Sequence, residues 1–75
     1  MSETTLDLKG LKCPLPVLKT RKALSRLAPG DRLIVLTTDP MAEIDIPHMC
    51  REDGHTLQGV EKAATGHRFL LVAGK

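Results

Sequence analysis

Two prolines flank a single residue behind a cysteine in the run Cys13-Pro14-Leu15-Pro16. No other stretch restricts the local fold as much. Inside a helix, proline removes a hydrogen bond and clashes with the preceding turn. In the first turn it is tolerated, because those N–H groups have no helical partner anyway. The run therefore marks a helix start. Upstream, Leu6 and Leu8 alternate with a polar neighbour as on a half-buried strand, and Lys9-Gly10 breaks the pattern. Downstream, Val17, Leu24 and Leu27, with Thr20 and Ala28 on the same side, form the apolar stripe of a helix from Pro14 to Ala28. Lys19, Lys22 and Arg26 fall together opposite, and Pro29-Gly30-Asp31 ends the helix.

The remaining elements follow in order. Leu33-Ile34-Val35-Leu36 is a short, continuous apolar run that reads as a strand buried on both sides. Asp39-Pro40 resembles an N-cap and a first-turn proline. Pro47 interrupts the pattern that follows, so the spacing predicts a short turn near 41–45 and a helix from about Pro47 to Gly54. Ile44, Met49 and Ile46 are its inward-facing residues. Residues 56–61 and 68–72 read as the last two strands, joined around Ala64-Thr65-Gly66. The last of them is apolar after Arg68 and so more central than its partner. The order β-α-β-α-β-β, with two helices on one face of a sheet, is a two-layer α/β sandwich of the α+β type. The 75 residues form a single domain, 1–75, which at this size buries only roughly 60–65% of its unfolded surface.

Cys13 is the residue with chemical potential. As the N-cap of the helix it stands in the non-helical geometry favoured before a proline. Pro14 then takes the first helical position and Pro16 the third. The third position has no N–H, which leaves Leu15 N–H as the one nearby capping donor for the sulfur. The helix dipole and Lys12 add positive character. All of these lower the thiol pKa below its free value of about 8.5. On the residues alone two readings stay open: a reactive thiolate at a helix N-terminus, or an inert buried cysteine.

Composition removes several classes. With one Phe and no Tyr or Trp, the chain lacks stacking platforms for single-stranded nucleic acid. A net charge of +2 and 41% hydrophobic content argue against disorder. Residues 1–5 carry no basic segment followed by an apolar one, so no signal peptide is expected. No apolar stretch approaches the roughly 20 residues of a membrane span, and a cytoplasmic location is the expectation. Two cysteines do not make a secreted disulfide framework.

The chain resembles the TusA/SirA-like family of small bacterial sulfur carriers over essentially its full length. The resemblance rests on Leu8-Lys9-Gly10-Leu11-Lys12-Cys13-Pro14-Leu15-Pro16 and the helix after it, on Asp39-Pro40 with Asp45-Ile46-Pro47, and on Gly54-His55. It implies a mixed four-stranded sheet with the fourth strand inside. It further implies that Cys13 accepts sulfane sulfur as a persulfide and passes it on, with Pro14, Leu15 and Pro16 shaping its site. The implied partners are a donor such as a cysteine desulfurase or rhodanese and a downstream acceptor protein. The pathway implied is tRNA thiolation, molybdenum-cofactor assembly or sulfur oxidation. No resident cofactor is expected, and a monomer suffices.

Charge is divided along the chain. Six basic and no acidic residues lie between Lys9 and Arg26, and five acidic residues and one basic lie between Asp39 and Asp53. Either these are solvated helix faces, or Lys9, Lys12, Lys19 and Lys22 steer an acidic partner toward the sulfur. Arg21 is expected to pack with a snorkelled head, or else to pair with a carboxylate between the helices. Cys50 is expected to be a buried or semi-buried inert thiol rather than a resolving cysteine, since helices starting at the same edge of the sheet put it and Cys13 near opposite ends, which disfavours a disulfide. His48, His55 and His67 lack metal-ligand spacing, so no metal site is expected. The alternative reading is a small regulatory or RNA-binding module using the basic face of the first helix. Its sandwich resembles the C-terminal domain of translation initiation factor three, although no direct nucleic-acid binding is expected. A redox switch would need Cys50 to reach Cys13.

Overall fold

The computed structural model describes residues 3–74; Met1, Ser2 and Lys75, and with them the start of the 1–5 segment read above, lie outside the described residues. Among the described residues six elements follow one another: β1 (Glu3–Asp7), α1 (Leu15–Ser25), β2 (Arg32–Thr37), α2 (Ala42–Asp53), β3 (Thr56–Ala63) and β4 (Gly66–Val72). The sheet order is β1-β2-β4-β3. β1 and β2 are parallel, and β4 is antiparallel to both β2 and β3. The apolar run of β4 is thus central, with Phe69 between Val35 and Val60.

Alternation along each strand divides the sheet's two faces. Leu33, Val35, Phe69 and Leu71 join Leu24 of α1 and Ile46, Met49 and Cys50 of α2 in one core. Ile34 is also buried but lies on the opposite face by its position between Leu33 and Val35. The expectation of a strand buried on both sides therefore holds for residues 33–35, while Leu36 is only half-buried.

Three local features differ from the sequence reading. The first helix ends at Ser25 rather than Ala28, because Arg26 and Leu27 N–H groups donate to Ala23 and Leu24 carbonyls and tighten the chain to three-residue spacing. The second helix runs through Pro47 as one segment. The proline removes one bond, but Ala42, Ile46, Met49 and Cys50 form a buried stripe at helical spacing on both sides of it, and that tertiary burial outweighs the lost bond. The same stripe turns Ile44 outward, 63% exposed. Arg21 takes the second of its two expected roles: its Nε lies 2.7 Å from Asp53 Oδ2, joining α1 to α2.

Gly66 opens β4 directly after a two-residue turn, Ala64-Thr65. Its φ is +118°, and a Cβ there would lie 1.9 Å from the Thr37 carbonyl oxygen. The obstacle is backbone, which cannot swing aside. Gly66→Ala is therefore expected to cost at least the ~1–3 kcal/mol of a strained backbone position. A melting temperature equal to that of the wild type would contradict this packing.

Candidate functional site

The carboxyl ends of the parallel strands β1 and β2 share one edge of the sheet, and the loops leaving them meet there. In open α/β sheets this edge is where ligands bind. Gly10, with φ +87°, turns the first loop sharply, and its N–H donates to Thr38 Oγ1 of the second loop at 2.9 Å. Three residues on, the Cys13 N–H donates to Asp39 Oδ2 at 2.7 Å. The other oxygen of Asp39 accepts the Met41 N–H at 3.2 Å, organising the entry into α2. An open hollow of about 440 Å³ lies between the loops, lined by residues 10–13 and 38–40. The β3–β4 turn reaches the same edge, where His67 Nε2 lies 3.5 Å from Glu43 Oε2 of α2.

Cys13 is exposed on this rim, but it is not the N-cap. Pro14 holds that position, so Leu15 and Pro16 become the first and second helical residues. The Cys13–Pro14 peptide bond is cis. The Leu15 N–H, expected to cap the sulfur, donates instead to the Lys12 carbonyl at 2.9 Å. Pro16 is buried beneath the site, and its carbonyl accepts from Thr20 Oγ1 at 2.7 Å.

The electrostatic expectation is reversed as well. Cys13 Sγ donates to Asp45 Oδ2 at 3.4 Å. That hydrogen bond, followed by partial desolvation and by the negative charges of Asp45 and Asp39, pushes the Cys13 thiol above its ordinary pKa. The helix dipole has no donor aimed at the sulfur, while two carboxylates stand beside it.

The expected basic residues occupy two places. Lys12 lines the hollow beside Cys13, and Lys9 lies 4.0 Å from Asp7. Lys19 and Lys22, with Arg26, line a separate shallow depression over Leu6 and Ala23 along the outer side of α1. The residues missed were Asp39 and Asp45. Their signal lies in Asp39-Pro40, which reads as a helix start, and in Asp45-Ile46-Pro47, which with it carries part of the resemblance; neither motif by itself assigns a carboxylate to the sulfur. Also missed was an apolar rim: Leu15, Leu18, Met41 and Ile44, all 44–63% exposed, sit on the first turns of the two helices that begin at this edge.

Cys50 lies in the core at 2% exposure, and burial pushes its thiol up to about 11. Both cysteines are free. The histidines are dispersed: His48 faces Glu52 at 3.3 Å, His67 faces Glu43, and His55 Nδ1 accepts the Gly74 N–H at 3.0 Å. Among the described residues, no group of three or more His, Cys, Asp or Glu side chains converges to hold a metal ion, and no helix is long and apolar enough to cross a membrane.

Comparison with known proteins gives a consistent result. The family model for sulfurtransferase TusA matches residues 4–72. Two Neisseria meningitidis proteins, from serogroups A and B, each named "Putative sulfur carrier protein", are 51% identical over 57 residues, which is 76% of this chain and 77% of theirs. The crystal structure of a SirA-like protein from Desulfitobacterium hafniense superposes with a TM-score of 0.82 at 29% identity, covering 96% of this chain and 99% of that one.

Proposed function

The chain belongs to the sulfurtransferase TusA family of sulfur carriers, and we propose that Cys13 carries the sulfur as a persulfide between a donor protein and an acceptor cysteine. The observation that carries this reading is the contrast between the two cysteines. Cys13 is exposed at the rim of an open hollow, while Cys50 is sealed in the core. A sulfur that two different proteins must reach in turn has to be accessible.

The exchange needs no oxidant. Cys13 sulfur attacks the outer sulfur of the donor persulfide, and a new S–S bond forms as the donor's S–S bond breaks. The donor leaves as a thiolate, which takes up the proton that Cys13 gives away. The outer sulfur of the Cys13 persulfide is then attacked by the acceptor thiolate in the same manner, as in thiol–disulfide exchange. Pro14, Leu15 and Pro16 shape the rim. The exposed apolar residues Leu15, Leu18, Met41 and Ile44 supply a contact surface around the sulfur for each partner.

The donor is a protein of the cysteine desulfurase or rhodanese kind. The acceptor belongs to tRNA thiolation, molybdenum-cofactor assembly or sulfur oxidation, and the carrier works as a monomer in the cytoplasm without a resident cofactor. Incubation with a cysteine desulfurase charged by L-cysteine is expected to add one sulfur by intact mass, removable by reductant and located at residue 13 by peptide mapping. Absence of that gain with either class of donor would end the reading.

An acidic donor surface docks on the basic residues at their two places, Lys9 and Lys12 in the loop that carries Cys13 and Lys19 and Lys22 along α1. Steering between opposite charges is screened beyond about 10 Å at 0.1 M salt. The loading rate is therefore expected to fall several-fold between low and high salt. A rate that does not change with salt would remove these lysines from docking.

A further inference from the structure

Asp45 is half-buried at the start of α2 with its carboxylate turned to the Cys13 sulfur, 3.4 Å away. Among the described residues no Lys, Arg or His forms an ion pair with it. The facing charges on neighbouring elements are Asp39, which holds the Cys13 N–H at 2.7 Å, and Lys12, which lines the same hollow. The N-terminal turn of α1 sends no N–H to the sulfur, since Leu15 N–H is engaged by Lys12. An ionised carboxylate only accepts hydrogen bonds. The contact is therefore favourable only while the sulfur keeps its proton, and ionisation would leave two like charges in contact. We propose that Asp45 is a positioning residue that holds Cys13 as a thiol in the unpartnered carrier, and that a partner bearing an arginine or lysine beside its own cysteine releases the thiolate by pairing with Asp45.

This rests on the persulfide reading above and adds regulation to it. The raised pKa of Cys13 agrees with the geometry. Because the thiolate is the form that oxidises, a carrier waiting between partners is protected, and reactivity appears only in the complex. On docking, the Asp45 carboxylate turns to the partner's cation. The Cys13 proton passes to the departing donor thiolate, and the S–S exchange proceeds with the same balance as before.

The test uses Asp45→Asn, which keeps size and an acceptor oxygen but removes the charge, and Asp45→Glu, which restores the charge. Circular dichroism confirms that each is folded. The midpoint of Cys13 alkylation by iodoacetamide, a neutral probe that docks nowhere, is expected to move to lower pH in Asp45→Asn, with a several-fold faster reaction at neutral pH. It should return toward wild type in Asp45→Glu. Sulfur loading by a charged cysteine desulfurase should rise by a smaller factor or fall, since the partner already releases wild type. An unmoved or higher midpoint in Asp45→Asn overturns the thiol-holding role, and desulfurase loading that rises by the same factor as alkylation overturns release by the partner. A wild type that loads sulfur while the midpoint stays put defeats this inference and keeps the carrier. A wild type that never loads while the midpoint drops ends the carrier reading and release by a partner with it, and keeps only the hold of Asp45 on the Cys13 thiol.

Discussion

Cys13→Ser is expected to fold as the wild type does and to gain no sulfur from a charged donor, while Cys50→Ser gains it normally. The first half follows from exposure and chemistry. Cys13 stands on the rim of the loops, so the change should alter stability by no more than about 0.5 kcal/mol. A serine hydroxyl still donates to Asp45 and leaves the local geometry intact, but its oxygen does not attack a persulfide sulfur under mild conditions. The second half follows from burial. Cys50 is 2% exposed and its thiol is pushed up to about 11, so at neutral pH it is both protonated and out of reach. Its replacement places a hydroxyl in the core, at a cost of about 1–3 kcal/mol. Cys50→Ser should therefore melt earlier and still load. Intact mass after donor treatment reads the first effect and thermal unfolding the second. Sulfur found on Cys13→Ser would remove Cys13 from the mechanism.

Phe69→Ala is expected to bring the domain close to unfolding. Phe69 is the only Phe, Tyr or Trp in the chain and is fully buried on the central strand β4, between Val35 and Val60. Truncation of a buried Phe costs about 3–5 kcal/mol through lost transfer energy and the cavity left behind. A domain of this length has a total stability of roughly 4–11 kcal/mol at ~0.05–0.15 kcal/mol per residue. For domains of this size each kcal/mol moves the melting point by about 4–8 °C, so a fall of more than about 12 °C is expected. Phe69→Leu, which fills most of the space, should lose considerably less. A melting point for Phe69→Ala within about 5 °C of wild type would show that the core collapses to fill the gap.

Much of the fold was legible because its signals are local and periodic. The alternation at Leu6 and Leu8, the apolar runs 33–36 and 69–72 and the stripe of α1 each report burial through a fixed spacing. The failures lie where a local rule met a tertiary contact. Pro47 breaks a helix by local rules, yet Ile46, Met49 and Cys50 bury against the sheet and keep α2 continuous. Ile44 was expected inside because it is apolar, but continuity of the helix places it two residues from Ile46 and therefore on the outer face. Arg21 pairs with Asp53, thirty-two positions away, a choice between its two expected roles that only the packing of α1 on α2 makes.

The site divides in the same way. The run Cys13-Pro14-Leu15-Pro16 pointed from the sequence to a helix start and a sulfur carrier, because two prolines so spaced fit a first turn and the wider motif matches a family. The electrostatics of that sulfur came from elsewhere in the chain. Parallel pairing of β1 with β2 brings Asp39 and Asp45 to the thiol across twenty-six and thirty-two positions. A pKa responds to every charge within a few ångströms whatever its place in the sequence. The neighbouring residues, Lys12 and the helix end, argued for a thiolate; the folded neighbours argue for a thiol.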